Sequence, residues 1–349
     1  MEPMANNKSR PRKTAYRLLI WLGVFLIVLA AVFRTIKTIR TNRELAGIDA
    51  PGLVRAVRQS ENWIHDVNSL LIRVNSTWTK TPEGIAAYRK ELKQQYPNKK
   101  IDPNRDWGLK SGFTDSLEFA VRQKPGEKKC LRLLRDTPGR MRLLEIFSGK
   151  EHFSYNKYFT PPNEFYLIND ANNIACELFL DMSWPRAQAH VFWSAPISNE
   201  QMLNEWGPAE GFACVGREAY RGVDCYVLEC EPPAFRGRVR RWYVGIKDCL
   251  LYGNMLLDSG GGKTFEYWTL DYKEVAPGCW YPMTQGCELY NRKWLTVYQD
   301  SRRDLKVTEV RVNEQLPDEL FEMQFEPGVR VIDERINPSP INSSAAEQH

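Results

Sequence analysis

Residues 260–264 (GGGKT) share part of the spacing of a phosphate-binding loop, in which backbone amides and a lysine hold the phosphates of a nucleotide. The full pattern requires a further glycine five residues before Gly262, and Leu257 stands there. The segment also joins two predicted strands, whereas a phosphate-binding loop leads into a helix. We therefore predict a hairpin loop at this place and no nucleotide site.

The histidines are the next candidates for catalytic chemistry. The chain has four, at positions 65, 152, 190 and 349. His152 and His190 are candidate general bases, but neither stands at a recognised spacing from a nucleophile, and the patterns GxSxG, HExxH and GxGxxG do not occur. The sequence therefore predicts a protein that is not an enzyme and carries no cofactor. An envelope hydrolase is the remaining enzymatic alternative.

Cysteine chemistry is also limited by spacing. The eight cysteines stand at positions 130, 176, 214, 225, 230, 249, 279 and 287, with no CxxC pair and with the histidines scattered. Zinc and iron–sulfur sites need clustered ligands, so no metal site is predicted. An even number of cysteines in an exported domain is compatible with disulfides, and buried free thiols are the alternative.

The densest basic run of the main body is residues 236–241 (RGRVRR). It could bind an acidic lipid headgroup or an acidic partner, but a solvated loop before a strand is the favoured interpretation. The net charge of +5 arises elsewhere, because residues 1–43 contribute +8 and the remaining chain −3. A nucleic-acid-binding domain normally carries its own basic surface, so nucleic-acid binding is not predicted.

The elements that would position any site begin with an apolar segment. Residues 18–33 hold no charge and twelve Leu, Ile, Val or Phe residues, which is enough for membrane insertion. Residues 1–17 are predicted to be a basic cytoplasmic stub and residues 34–50 a stalk. The basic residues before the apolar run place the protein in the inner (cytoplasmic) membrane as a single-pass protein with its bulk facing the periplasm or the cell exterior. Cleavage of a signal peptide near Leu29-Ala30-Ala31 is the alternative.

Two helices are predicted next, and then a long series of strands. The apolar spacing from Leu53 to about Val74 is helical, and Thr81-Pro82-Glu83 is a helix start whose helix ends at Tyr96. Short apolar runs separated by turn residues then indicate an antiparallel sheet. The predicted strands are 115–122, 130–135, 140–147, 151–156, 163–168, 212–220, 223–231, 241–246, 250–257, 263–275, 279–290, 293–301 and 305–313. A helical interlude is predicted at 174–182 and 199–206, and residues 334–349 are predicted to be disordered.

Several predicted strands carry aromatic residues on both faces, as residues 265–272 (FEYWTLDY) do. Such a sheet cannot present one face to water, so each face must be covered. The sequence thus predicts a mainly β (α+β) fold.

Short motifs in the second half of the chain resemble those of a known group. Residues 316–321 (LPDELF) and 325–333 (FEPGVRVID) are similar to the C-terminal signature of the LolA-like and RseB-like superfamily. Residues 216–218, 222–228 and 241–244 resemble the middle hairpin of the same group and the strand after it. That group includes periplasmic carriers of outer-membrane lipoproteins and related envelope sensors. The resemblance covers about residues 51–333.

The resemblance implies a curved antiparallel sheet, an unclosed barrel covered by helices, with acyl chains of a lipid or lipoprotein held in an apolar cavity. Carriers of this group diffuse freely, whereas this chain is expected to stay anchored, so shuttling is not implied. An envelope-stress sensor that binds a protein partner is the alternative. The candidate cavity residues, taken from the strand aromatics, are Trp242, Phe265, Tyr267, Trp268, Trp280 and Trp294.

Overall fold

The computed structural model describes a single sheet with helices and a C-terminal segment packed on it. The described residues are 47–61, 63, 67–98, 109, 111–123, 130–148, 151–159, 162–170, 207–293 and 296–336. The predicted anchor 18–33, the stub, most of the stalk, the interlude 174–182 and 199–206, Trp294 and residues 337–349 lie outside this set. None of the helices in the described part combines the length and apolarity that a membrane crossing requires.

Two α-helices occur among the described residues: α1, Ala50–Glu61, and α2, Pro82–Gln95. The predicted start of α2 is confirmed, because the Thr81 side chain accepts a hydrogen bond from the Gly84 amide at 3.1 Å. The prediction of a helix reaching Val74 is wrong in its second half. A strand begins at Ser69 and has a paired strand on either side, which buries a continuous apolar run that periodicity alone cannot distinguish from a helix.

The described residues form fourteen strands, and all but the first and the last correspond to the predicted series. They are β1 Ser69–Lys80, β2 Gly112–Arg122, β3 Cys130–Thr137, β4 Met141–Phe147, β5 Glu151–Phe159, β6 Pro162–Asp170, β7 Ala213–Tyr220, β8 Val223–Cys230, β9 Val239–Gly245, β10 Leu251–Leu257, β11 Lys263–Ala276, β12 Cys279–Lys293, β13 Thr296–Val312 and β14 Arg330–Asp333. The two strands predicted at 293–301 and 305–313 are a single strand, β13. The polar residues between them suggested a turn, but they pair with both β1 and β12.

All fourteen strands form one sheet in the order β14-β6-β5-β4-β3-β2-β1-β13-β12-β11-β10-β9-β8-β7. Every pairing is antiparallel except that of β14 with β6. Strands β14 and β7 end the order without pairing to each other, so the sheet is unclosed. It is also curved, because the Tyr220 hydroxyl of β7 lies 2.8 Å from the Glu266 carboxylate of β11, four strands away. A flat sheet would separate those strands by about 19 Å.

One face of the sheet, here called the helix face, carries Leu70, Ile72 and Val74 of β1. These side chains form the central core with residues of β2, β12 and β13. Farther along the same face, Val54 and Val57 of α1 are fully buried against the strands β8 and β9. The helix face therefore holds most of the apolar interior.

The opposite face, here called the strap face, is crossed by the C-terminal strap, residues 316–333. Phe321 of the strap packs on Leu71 and Ala120, and the Arg122 guanidinium lies 4.6 Å from its ring centroid. The strap ends as β14, beside β6. The C-terminal motif thus covers the second face of the sheet.

Candidate functional site

The structure divides the predicted cavity aromatics between the two faces. Trp242, Phe265 and Tyr267 lie on the helix face, and Trp268 and Trp280 on the strap face, as the strand registers require. Trp294 is outside the described residues. These side chains therefore do not line one common cavity, because adjacent residues of a strand point to opposite sides.

On the helix face, Trp242 is fully buried beneath α1, with its ring centroid 4.9 Å from that of Phe212. Phe265 and Tyr267 contact each other, at 5.4 Å between centroids. On the strap face, Trp268 is buried with the Arg221 guanidinium 3.9 Å from its ring centroid, and Trp280 is 42% exposed. Apart from Trp280, these aromatic side chains supply core packing.

A different part of the helix face, over β2–β5, forms a shallow open cleft that encloses only about 10 Å³. The registers place its lining side chains in adjacent rows, with Phe119 opposite Leu133 and Phe147 opposite Leu131. The full lining set is Phe119, Leu131, Arg132, Leu133, Glu145, Phe147 and His152. About 10 Å³ is the room that one water molecule needs, so a ligand would lie along the open side of the cleft and not inside it.

The sequence predicted the strands of this cleft but not the cleft. The signal that could have indicated it is weak, namely alternate apolar residues in 131–133 and an aromatic residue at each of positions 119 and 147. The same pattern occurs in any buried strand.

Two titratable residues line the otherwise apolar cleft. Burial raises the pKa of Glu145 from 4.5 to about 7, and burial lowers the pKa of His152. Both shifts favour the neutral form, which is the expected response to an apolar environment. Arg132 is also in the lining set, but the register places its side chain on the strap face, where its Nε donates to Glu118 at 2.8 Å. A cleft lined in this way is suited to holding apolar groups.

A buried ionic network lies on the helix face near the start of β2, at Asp115, whereas Phe119 of the same strand lines the cleft. The Asp115 carboxylate accepts from Thr137 Oγ1 at 2.6 Å, from Arg135 Nη2 at 2.9 Å and from Arg303 Nη2 at 3.3 Å. Arg303 Nε also donates to Ser76 Oγ at 2.6 Å. Burial lowers the pKa of Arg303 to about 10, with the Asp115 charge opposing that effect. The helix face thus changes from apolar to strongly polar along β2 and β3.

A second ionic cluster lies on the strap face around Glu266, which is 3% exposed. Its carboxylate accepts from Lys263 Nζ at 2.6 Å, from the Tyr220 hydroxyl at 2.8 Å and from Arg221 Nη2 at 3.3 Å. Tyr220 and Arg221 belong to the β7–β8 hairpin end, which these bonds hold over the sheet. This cluster joins elements of the fold.

The glycine-rich segment is a hairpin loop, as predicted. It connects β10 and β11, and Asp258 Oδ1 accepts from the amides of Gly260 and Gly262, each at 2.8 Å. Lys263, the residue that would contact a phosphate, is bound to Glu266.

The basic run 236–241 is only partly the solvated loop that was predicted. Arg236 and Arg238 are exposed, whereas Arg240 is 4% exposed and donates to Asn254 at 3.2 Å. Arg241 pairs with Glu229. The reason is that β9 begins at Val239, so alternate residues enter the sheet.

No disulfide joins any two of the seven described cysteines, which are Cys130, Cys214, Cys225, Cys230, Cys249, Cys279 and Cys287. Burial raises the pKa of Cys225 and of Cys230 to about 12, so neither is a reactive thiolate at neutral pH. No group of three or more metal-ligating side chains occurs within the part of the chain that the structure describes.

Comparison with known proteins finds no matching family model and no matching curated protein. Solved structures do match, with low similarity. A DUF1329 family protein from Desulfovibrio piger ATCC 29098 has a TM-score of 0.39 and 12% identity, covering 76% of this chain and 94% of that chain. A LolA superfamily protein from Nitrosomonas europaea has a TM-score of 0.36 and 11% identity, covering 79% of this chain and 99% of that chain. MucB in its complex with MucA from Pseudomonas aeruginosa has a TM-score of 0.26 and 9% identity, covering 77% of this chain and 100% of that chain. Among these is the superfamily that the C-terminal motif of this chain resembles.

Proposed function

We propose that this chain is a membrane-tethered, extracytoplasmic binding protein that holds an acyl chain of a lipid or lipoprotein in the cleft on the helix face. The observation that supports the proposal is the apolar lining of the cleft by Phe119, Leu131, Leu133 and Phe147. Acyl burial contributes about 0.8 kcal/mol per CH₂ group, so a chain of several carbons gives useful affinity without any catalytic group. The C-terminal motif, which resembles that of lipoprotein carriers, is consistent with the same role.

The test is native mass spectrometry of the full chain, released from neutral maltoside micelles after addition of dodecan-1-ol. Leu133→Gln places an amide in the cleft, and we expect it to lower the affinity for dodecan-1-ol at least about tenfold, because burial of one leucine side chain is worth roughly 1.5–3 kcal/mol. Leu134→Gln is the matched control, since Leu134 lies on the strap face of the same strand. Equal binding by wild type and both variants, or no binding at all, would reject the cleft as the acyl site.

A sensor that binds a protein partner is the second candidate, because β7 has a neighbouring strand on one side only among the described residues. Val215 of that strand is 47% exposed, and an unpaired edge can accept an extended segment of another chain. Extraction of the full chain from its own membrane would then yield one stoichiometric protein partner and no lipid. Val215→Lys should abolish that complex, and retention of the partner by this variant would exclude the β7 edge.

A further inference from the structure

The ionic network around Asp115 contains more positive than negative charge. Arg135 and Arg303 both donate to the Asp115 carboxylate. A third guanidinium, that of Arg140 in the β3–β4 turn, lies within electrostatic reach: burial and the charge of Arg135 lower the pKa of Arg140, and Asp115 raises it. Two guanidinium groups therefore donate to one carboxylate, and a third lies within its electrostatic reach. Partly buried like charges repel, so an additional anion would stabilise this arrangement.

Two side chains of the network are buried, and a third is partly exposed to solvent. The side chains of Asp115 and Arg303 are 1% and 3% exposed, whereas that of Arg135 is 25% exposed. Arg135 Nε is buried and has no hydrogen-bond partner among the described residues. Since buried guanidinium donors are normally satisfied, this donor is the second observation that indicates a missing acceptor.

The arginines continue the row of side chains that lines the cleft. Leu131, Leu133, Arg135 and Thr137 alternate along β3 and so share the helix face. Six residue steps separate Leu131 from Thr137, about 20 Å along an extended strand. A ligand with an apolar chain at the Leu131 end would therefore place its head among the arginines.

The arginine end of the cleft also has the composition of an interface between apolar and charged groups. Trp78 and Phe113 contact each other at 5.1 Å between ring centroids, and the Arg140 guanidinium lies 5.0 Å from the Phe113 centroid. Tyr158, on the helix face opposite Met141, is 40% exposed. Aromatic and cationic side chains together suit the junction between an acyl chain and its head.

We propose that Arg135, Arg140 and Arg303 bind the oxyanion head, phosphate or carboxylate, of an amphiphile whose acyl chain occupies the cleft. This inference rests on the proposed function and names its ligand class. Guanidinium groups bind such heads through paired, charge-assisted hydrogen bonds.

The experiment compares dodecyl phosphate, dodecanoate and dodecan-1-ol, which share one chain length, on the full chain in neutral maltoside micelles by native mass spectrometry. We expect one or both anions to bind at least about tenfold more tightly than the alcohol, and the preferred anion identifies the head. Arg140→Gln leaves both ion pairs of Asp115 in place and should lower anion affinity roughly tenfold, as expected for one charge-assisted bond. Binding of the alcohol should not change.

Arg217→Gln is the matched control, because Arg217 is exposed on β7 with its guanidinium 5.0 Å from the Tyr226 ring centroid, and it should bind all three probes as wild type does. Equal affinity for anions and alcohol would overturn the oxyanion site and leave the apolar cleft standing. Binding of anions alone, lost in Arg140→Gln, would support the oxyanion site and reject the apolar cleft. Binding of no probe would reject both, and anion binding that persists in Arg140→Gln would overturn the oxyanion site.

Discussion

Asp115 compensates the charge of two arginines in a largely buried part of the helix face. Its side chain is 1% exposed, and Thr137, Arg135 and Arg303 all donate to it. Removing one partner of a buried ion pair leaves an uncompensated charge, which costs more than the pair itself is worth.

We therefore expect Asp115→Asn to lower the free energy of unfolding by about 3–5 kcal/mol, measured by urea denaturation of the full chain. Asp271→Asn makes the same chemical change at an exposed position and should alter that free energy by no more than about 0.5 kcal/mol. An equal effect of the two substitutions would show that the Asp115 network does not hold the buried charges together.

Glu145 should make stability depend on pH in the direction opposite to that of most carboxylates. Burial raises its pKa from 4.5 to about 7, so the folded state binds more protons than the unfolded state between these values. Its contribution is fully present below pH 4.5 and is lost as the pH rises to about 7, to a total of up to about 3 kcal/mol.

The measurement is the free energy of unfolding from pH 4.5 to pH 8 for wild type and Glu145→Gln. The difference between the two should move in favour of the variant as the pH rises through this range. Glu322→Gln, at an exposed position, should remain parallel to wild type throughout. A difference that is constant with pH would contradict the burial of Glu145.

At the scale of elements, two large aromatic side chains pack directly on glycines of neighbouring strands, and the missing Cβ atoms allow this close approach. A Cβ atom at Gly286 would lie 2.2 Å from the ring atom Cζ2 of Trp268, and one at Gly253 would lie 2.5 Å from the Tyr220 ring. These glycines let the two aromatic rings lie flat on β12 and β10. Aromatic packing on the strap face therefore requires glycine at these two positions.

Gly286→Ala should lower the free energy of unfolding by at least about 1–3 kcal/mol, because the ring of Trp268 and the Arg303 carbonyl would both have to move. Gly216→Ala is the control, since a Cβ there meets only Val227 carbons at 3.9 Å, an ordinary contact. Urea denaturation of both variants measures the difference. If Gly286→Ala is as stable as Gly216→Ala, Trp268 does not pack against β12 as described.

The strap is the second element whose contribution can be measured. Phe321 is 4% exposed and packs on Leu71 and Ala120, so Phe321→Ala should cost about 3–5 kcal/mol of unfolding free energy. Phe159→Ala removes the same side chain where it is 44% exposed and should cost less than about 1 kcal/mol. Similar thermal and urea midpoints for the two variants would show that the strap does not stabilise the sheet.

For the whole molecule, stability comes from one curved sheet covered on both faces, without disulfides among the seven described cysteines. The β1–β13 pair joins the two halves of the sheet, and its contacts are among the most distant in sequence, as in Leu70 opposite Val312. Such long-range pairing closes a large loop, so the halves depend on each other for folding.

Reduction should consequently leave stability unchanged. We expect the urea midpoint of the full chain, purified under oxidising conditions, to shift by an amount worth less than about 0.5 kcal/mol when dithiothreitol is added. A structural disulfide would contribute roughly 2–4 kcal/mol, so a loss of that size would contradict the absence of disulfides among the described cysteines.

Local features of the chain were determined by sequence alone. Thr81 and Pro82 mark the start of α2 because their side chains suit the first turn of any helix. Arg221-Gly222 marks the β7–β8 turn, where both residues have positive φ, 49° and 89°. Alternation and turn residues likewise identified most strands, because both signals depend only on neighbours along the chain.

Tertiary structure alone decided which face each strand residue occupies and what covers it. The sheet registers separate Tyr267 from Trp268, and they bring the alternate residues Phe119, Leu133 and Phe147 into the cleft that the sequence did not indicate. They also make β13 a single strand, because Arg303 and its neighbours pair with β1, where Trp78 lies opposite Arg303 from more than two hundred positions away in the sequence. A one-residue change of register would invert every one of these side chains, and register is fixed by partners distant in sequence.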